Sequence, residues 1–359
     1  MRNSKPNDKR SIASILFRVL GTLVALAIVI AAAALIAALA FASAYDKPTG
    51  KIGPEGAFFN VRQGESGMSV SRRLAQEGFI RSEYLFRLIL KAKRLESSLK
   101  AGEYAIGPAM NSSDVLEMLV EGRQALLRLT VPEGADIGYI ADAAEAAGVA
   151  SASDTLAAAR DGDLVRGLGI PAESADGYLF PDTYLLPRNA GGRALVTLMV
   201  QTFKKRLAEA IPEALALSPK ELHERVVLAS IVEREYRVAQ EAPLMASVFL
   251  NRLRIGMALQ SCATVVFVIT EHQGKPHPSR LFDRDLKIDD PFNTYMYPGL
   301  PPGPICNPGM TAVSAALRPA VSKYLYFRLV NEATGQHYFS ASLDEHIGAA
   351  SLLVKPRSR

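Results

Sequence analysis

The chain has 359 residues, 49% of them hydrophobic and 21% charged, with a formal net charge of +5. That balance excludes a disordered or fibrous chain and leaves room for two modest folded domains. Two cysteines are too few for a disulfide framework, and no Lys/Arg block or aromatic ladder is present, so nucleic acid is not an expected partner.

Residues 1–18 form a basic tail, with Arg2, Lys5, Lys9, Arg10 and Arg18 against a single acid, Asp8. An uncharged run from Val19 to Tyr45 follows, longer than the ~20 residues that a helix needs to cross a bilayer core. We read 19–45 as a transmembrane helix with its N-terminus in the cytoplasm, by the excess of positive charge before it. The small residues of Phe41-Ala42-Ser43-Ala44 keep a cleaved signal peptide as the competing reading. Either way the rest of the chain is extracytoplasmic, on or beyond the cytoplasmic (inner) membrane. Residues 46–56, DKPTGKIGPEG, have the Pro and Gly content of a linker.

From 57 to 125 the pattern predicts strand, helix, helix, strand, then a capped helix over 111–122. Val70 and Leu74 mark the inner face of the first helix; Leu85, Phe86, Ile89 and Leu90 mark that of the second. This small α+β module is LysM-like in its order of elements, which implies binding to N-acetylated glycans. The predicted class of the whole is α+β: a membrane helix, this module, and a mixed α+β domain over 126–359. In that domain the stretch 135–170 is Ala-rich and helical, and DGYLFPDTYLLP (176–187) reads as an aromatic loop.

The chemistry concentrates after Ser218. Ser218-Pro219-Lys220-Glu221 combines a cap, a first-turn proline and a capping-box acid, which fixes the register of the helix that runs into LASIVEREY. At about 100° per residue, Leu228, Ile231, Val232, Val238 and Ala239 make one apolar stripe with Glu235 inside it, and Glu233 falls on the opposite face beside Ser230, Arg237 and Gln240. Glu233 is therefore expected in solvent, paired with Arg237. Glu235 is expected to be buried, with its pKa raised toward that of a working acid. The same burial also suits a structural glutamate held by Arg252 or Arg254.

A second amphipathic helix is predicted over 243–253 and a strand over TVVFVIT (264–270), with Gln260 and Ser261 at the edge of a cleft. The Pro- and Gly-rich loop 291–309 suits a groove wall, with Asn293, Thr294, Tyr295 and Asn307 as candidate sugar-binding side chains. His337 and His346 read as packing or surface groups in a closing strand and helix. Cys262 and Cys306 leave one bridge open. Neither has partners at metal-ligand spacing, so no metal or other cofactor is expected.

DGYLFPDTY, LASIVERE, ASVFLNRLRIGMALQS, FNTY, GLPPGPICNPG and YLYF together resemble the endolytic murein transglycosylase, or YceG-like, family. The resemblance spans nearly all of the chain after the apolar segment. It implies that Glu235, the second glutamate of the ASIVE-x-E motif, is catalytic. It also implies non-hydrolytic cleavage of the β-1,4 bond between N-acetylmuramic acid and N-acetylglucosamine in nascent peptidoglycan, beside the membrane and its peptidoglycan synthases. The chain departs from the family pattern at Tyr236, Cys262, Ala263, Phe267 and Phe292, which motivates an alternative, a tethered glycan-binding protein with weakened catalysis. A hydrolytic muramidase would need a second acid, for which Asp283 and Asp290 are the candidates.

Overall fold

A computed structural model describes residues 9–45 and 47–354. Arg2, Lys5 and Asp8 of the basic tail lie outside the described residues. Helix α1 (Lys9–Tyr45) contains Ile15–Phe41, with a mean hydropathy of 3.0 and none of its apolar window buried in the protein. By length and composition it is able to cross a membrane, as a signal sequence also would be. The chain divides into two compact units, Met1–Ala125, which includes α1, and Leu126–Arg359.

In the first unit, β1 (Ala57–Val61), α2 (Gly67–Gln76), α3 (Glu83–Ala92) and β2 (Gly102–Ile106) follow the predicted order, and α4 (Ser112–Glu121) closes it. β1 and β2 pair antiparallel with Phe59 opposite Tyr104, both fully buried. Serines cap both central helices, Ser66 accepting from Ser69 N–H and Ser82 from Leu85 N–H. The alternate residues of the strands and one stripe of each helix meet in a core of Val70, Leu74, Phe86, Leu90 and Ile106.

The second unit begins with β3 (Leu126–Thr130), and α5 (Ile137–Ala146), α6 (Ala152–Ala159) and α7 (Gly162–Gly167) occupy the Ala-rich stretch. The second half of the DGYLFPDTYLLP stretch, read as loop from sequence, is a strand, β4 (Thr183–Pro187), paired antiparallel with β3. α8 (Gly192–Ala210) and α9 (Pro219–Glu235) follow, then α10 (Ala242–Arg254) and α11 (Cys262–Phe267). The chain ends with α12 (Met310–Leu317), the antiparallel pair β5 (Tyr326–Asn331) and β6 (Gln336–Ser340), and α13 (Leu343–Gly348).

Two expectations fail here. The run TVVFVIT is helical, α11 continuing into a π-helical turn over Val268–His272. A short apolar run rich in β-branched residues fits a strand or a buried helix equally, and this one packs against α9 with its backbone bonds closed internally. The apolar stripe also does not reach Val238 and Ala239, because α9 stops at Glu235 and Tyr236 is extended (φ −73°, ψ 146°). From Val226 to Val232 α9 is enclosed rather than amphipathic: every residue there is buried, including Ser230, whose hydroxyl turns back to Val227 O.

Candidate active site

Glu235 is the last residue of α9, where the helix leaves the core and its side chain enters a cavity of about 330 Å³. Leu259, Phe249 and Phe327 supply apolar walls, and Tyr295 and Tyr326 supply aromatic faces. Glu235 is the one carboxylate among the lining residues.

The acid is held by the start of α11. Ser261 donates its hydroxyl to Glu235 Oε1 at 2.5 Å, and Ala263 N–H bonds the same carboxyl group. Ser261 is the N-cap residue of α11 but its side chain accepts no bond from its own helix, and its hydroxyl is turned to the glutamate instead. The backbone before it is strained: Gln260 has φ of 50°, an uncommon value for a residue other than glycine. That turn is fixed by Thr294, whose carbonyl accepts from Gln260 N–H at 3.1 Å and whose hydroxyl accepts from Ser261 N–H at 3.0 Å. Thr264 joins the same cluster, 3.0 Å from the Thr294 hydroxyl.

Burial raises the Glu235 carboxyl above the ordinary glutamate range; the bonds from Ser261 and Ala263 and the charges of Arg252 and Arg234 oppose this without cancelling it. Arg252 is the cation of the cavity lining. It is buried, directs Nε and Nη1 to the carbonyls of Leu325 and Leu259 at 2.6 Å each, and lies 5.2 Å from the Tyr326 ring centroid. The arrangement is that of a carboxyl whose protonated form is favoured by burial in a partly apolar cavity, with a cation near enough to favour the carboxylate after the proton is given.

The predicted candidates divide. Gln260, Ser261 and Tyr295 line the Glu235 cavity. Asn293, Thr294 and Asn307 are fully buried and committed to the fold. Asn293 donates to the carbonyls of Leu286 and Ile288, and Asn307 accepts from Leu179 N–H while donating to Ala135 O. None of the three reaches the cavity; Thr294 acts on it only by placing Ser261. Neither Asp283 nor Asp290 lines it; Asp290 is 2.8 Å from His272 Nδ1. Arg254 bonds Asn251 Oδ1 rather than Glu235.

Glu233 is not a solvent charge paired with Arg237. It accepts from Gly309 N–H at 3.0 Å, and burial pushes its carboxyl up to about 7, helped by the nearby Glu133. The helical wheel assumes one wet face along this stretch, and from Val226 to Val232 α9 has none. Tyr236 sits with Glu233 and Thr311, where burial pushes its hydroxyl up to about 12. Both cysteines are free thiols: Cys306 is buried, and Cys262 is exposed at the cavity with Sγ 3.1 Å from the Tyr295 hydroxyl.

Phe267 and Phe292 are also not in the Glu235 cavity. They pack on each other and on His272, with ring centroids 5.0 to 5.2 Å apart, in the wall of a second cavity of about 640 Å³ that holds Asp136, Arg160, Asp176 and Glu271. Among the described residues no group of three His, Cys, Asp or Glu is placed to hold a metal ion. Arg252, Tyr326 and His346 also line the Glu235 cavity; the sequence offers Arg252 as a structural partner of Glu235 and His346 as a packing or surface group, and gives no role to Tyr326. Arg252 follows Phe249 and Met245 at spacings of three and seven on α10, a buried-face position that would have marked it.

The YceG-like family model matches residues 59–351. The chain is 29% identical over 316 residues to the endolytic murein transglycosylase of Bacillus subtilis strain 168, covering 83% of this chain and 85% of that protein. It is 27% identical over 318 residues to the endolytic murein transglycosylase of Streptococcus pneumoniae serotype 2, covering 80% of this chain but 56% of that longer protein. The 2.6 Å crystal structure of a YceG-like protein from Listeria monocytogenes superposes with a TM-score of 0.53 at 32% identity, covering 82% of this chain and 99% of that one. A match extending over most of the chain and including the whole Glu235 cavity makes this protein a member of the YceG-like family.

Proposed function

We propose that this protein is a lytic transglycosylase that cuts the β-1,4 bond between N-acetylmuramic acid and N-acetylglucosamine within peptidoglycan strands. The names of the Bacillus and Streptococcus relatives support the substrate class. The observation that carries the reaction type is the single carboxyl of the cavity, Glu235, held by Ser261 and raised by burial. Protonated at rest, it gives its proton to the glycosidic oxygen as the bond breaks. The resulting carboxylate, favoured by Arg252, takes the proton of the muramic acid 6-hydroxyl, whose oxygen closes on C1 as a 1,6-anhydro ring. One carboxyl does both steps, whereas a hydrolase needs a second one, and the cavity supplies none.

The apolar helix α1 supports a single-pass anchor with the enzyme on the outer side of the cytoplasmic membrane, where new strands emerge beside the synthases. The β-α-α-β order of the first unit supports a LysM-like role in holding glycan. The weakened-binder alternative loses most of its motive, since of Cys262, Phe267 and Phe292 only Cys262 lines the cavity. Incubating detergent-solubilised full-length protein and its Glu235→Gln variant with peptidoglycan, with product masses as readout, tests the reading. Anhydro-ended fragments from the wild type alone are expected; uncut glycan from both proteins would leave the binder, and reducing ends would leave a hydrolase.

A further inference from the structure

Most polar side chains around Glu235 are already engaged. Ser261 donates to Glu235, the Tyr295 hydroxyl pairs with Cys262 Sγ, and Arg252 turns Nε and Nη1 onto backbone carbonyls. Gln260, Tyr326 and His346 are the lining residues whose polar side chains have no hydrogen bond among the described residues, and of the three only His346 has a buried polar atom left without a partner. Gln260 is an exposed side chain at the rim, but His346 is built in. It projects from α13, and its ring stacks on Tyr326 with centroids 5.3 Å apart and planes 28° apart.

The His346 Nδ1 atom is buried with no partner. A neutral imidazole carries one N–H, and an orphaned buried N–H is rarer in folded proteins than an orphaned acceptor, so the proton belongs on Nε2. Because Nδ1 is enclosed and the residue lines the cavity, the edge carrying Nε2 is the one left to face it. Burial first, then the positive charges of Arg328 on β5 and Arg252 on α10, hold its pKa below the usual histidine range, which favours the uncharged ring. Of the neighbouring acids on its own helix, Glu345 is taken up by the N–H groups of Ala341 and Ser342.

We propose that His346 positions substrate by donating its Nε2–H to an acceptor oxygen of the bound glycan, an acetamido carbonyl or hydroxyl oxygen beside the bond that Glu235 protonates. This rests on the glycan-cleaving reading of the cavity. A fixed neutral donor suits a site where the reacting carboxyl must keep its proton, because a second cation there would favour the carboxylate too early.

The test uses the full-length protein with two substitutions. His346→Phe keeps a ring to stack on Tyr326 but removes the donor, and His346→Gln returns an amide N–H near the Nε2 position. Affinity for a soluble tetrasaccharide of alternating N-acetylglucosamine and N-acetylmuramic acid is measured in the Glu235→Gln background, where no turnover occurs, and kcat/KM is measured with Glu235 intact. The expected result is at least tenfold weaker binding for His346→Phe, recovery to within about threefold for His346→Gln, and a parallel loss in kcat/KM, with unchanged Tm. Equal binding by the parent and the His346→Phe variant, including no measurable binding by either, overturns the proposal, as does a Gln variant no better than Phe. If the parent makes no anhydro ends while the binding difference holds, the lyase reading fails and the role of His346 stands.

Discussion

Replacing Ser261 by alanine removes one hydrogen bond and nothing else from the acid's surroundings, because the Ser261 N–H that anchors to Thr294 remains. That bond favours the ionised form of Glu235 and so holds its pKa down. A hydrogen bond to a charged group is worth about 1.5–3 kcal/mol, and about 1.4 kcal/mol is a tenfold change in an equilibrium, so the balance should move toward the protonated form by about tenfold to a hundredfold. The protonated acid then persists to higher pH, and the alkaline limb of kcat/KM moves upward by about 1–2 pH units. On the low-pH plateau the rate should fall severalfold, since a weaker acid transfers its proton less readily. The assay is the rate of anhydro-end formation between pH 5 and 9. An alkaline limb that stays in place or moves down would show that Ser261 does not set the acid, and the reasoning from geometry to mechanism would fail.

Four further outcomes follow. Glu233 has a folded pKa of about 7 against an ordinary 4.5, so its contribution is complete below pH 4.5 and is lost as pH rises through 7. Glu233→Gln should therefore be more stable than wild type at pH 8 by up to about 3 kcal/mol and little different at pH 4, as read by chemical denaturation. Gly177 has φ of +82°, and a Cβ there would lie 2.5 Å from Pro304 Cγ; Gly177→Ala should cost about 2–4 kcal/mol in the same assay. Thr294→Val leaves Ser261 N–H without its buried acceptor, which should cost about 1–3 kcal/mol and lower kcat more than it raises KM, since the acid's holder is displaced. Thiol titration should find Cys262 reactive in the native protein and Cys306 reactive only after denaturation.

Local signals in the sequence located the main elements, because they are written in short range. Ser218, Pro219 and Glu221 fix the start of α9, and Ser66, Ser82 and Asn111 fix three helices of the first unit. What depends on tertiary enclosure was not legible. A helical wheel assigns faces but cannot know that other elements cover both, which is why Glu233 was read as wet while its carboxyl is held at Gly309. Asn293, Thr294 and Asn307 have the side chains that sugars require, yet such groups equally tie irregular loops to buried carbonyls, and the fold uses them that way. Phe267 and Phe292 stand near Ser261 and Tyr295 in sequence but face a different cavity, since α11 carries its two ends to different walls. His346 joins Glu235 from more than a hundred residues away, a juxtaposition that only the packing of α13 against β5 creates.

The central claim is that one carboxyl, Glu235, cuts the glycan without water. Digestion of peptidoglycan in water enriched in oxygen-18 tests it most directly, with the new ends analysed by mass. The account predicts anhydro ends carrying no oxygen-18, formed by the wild type and by Glu233→Gln and lost in Glu235→Gln. One oxygen-18 atom per new end, or cleavage that survives in Glu235→Gln, would contradict it.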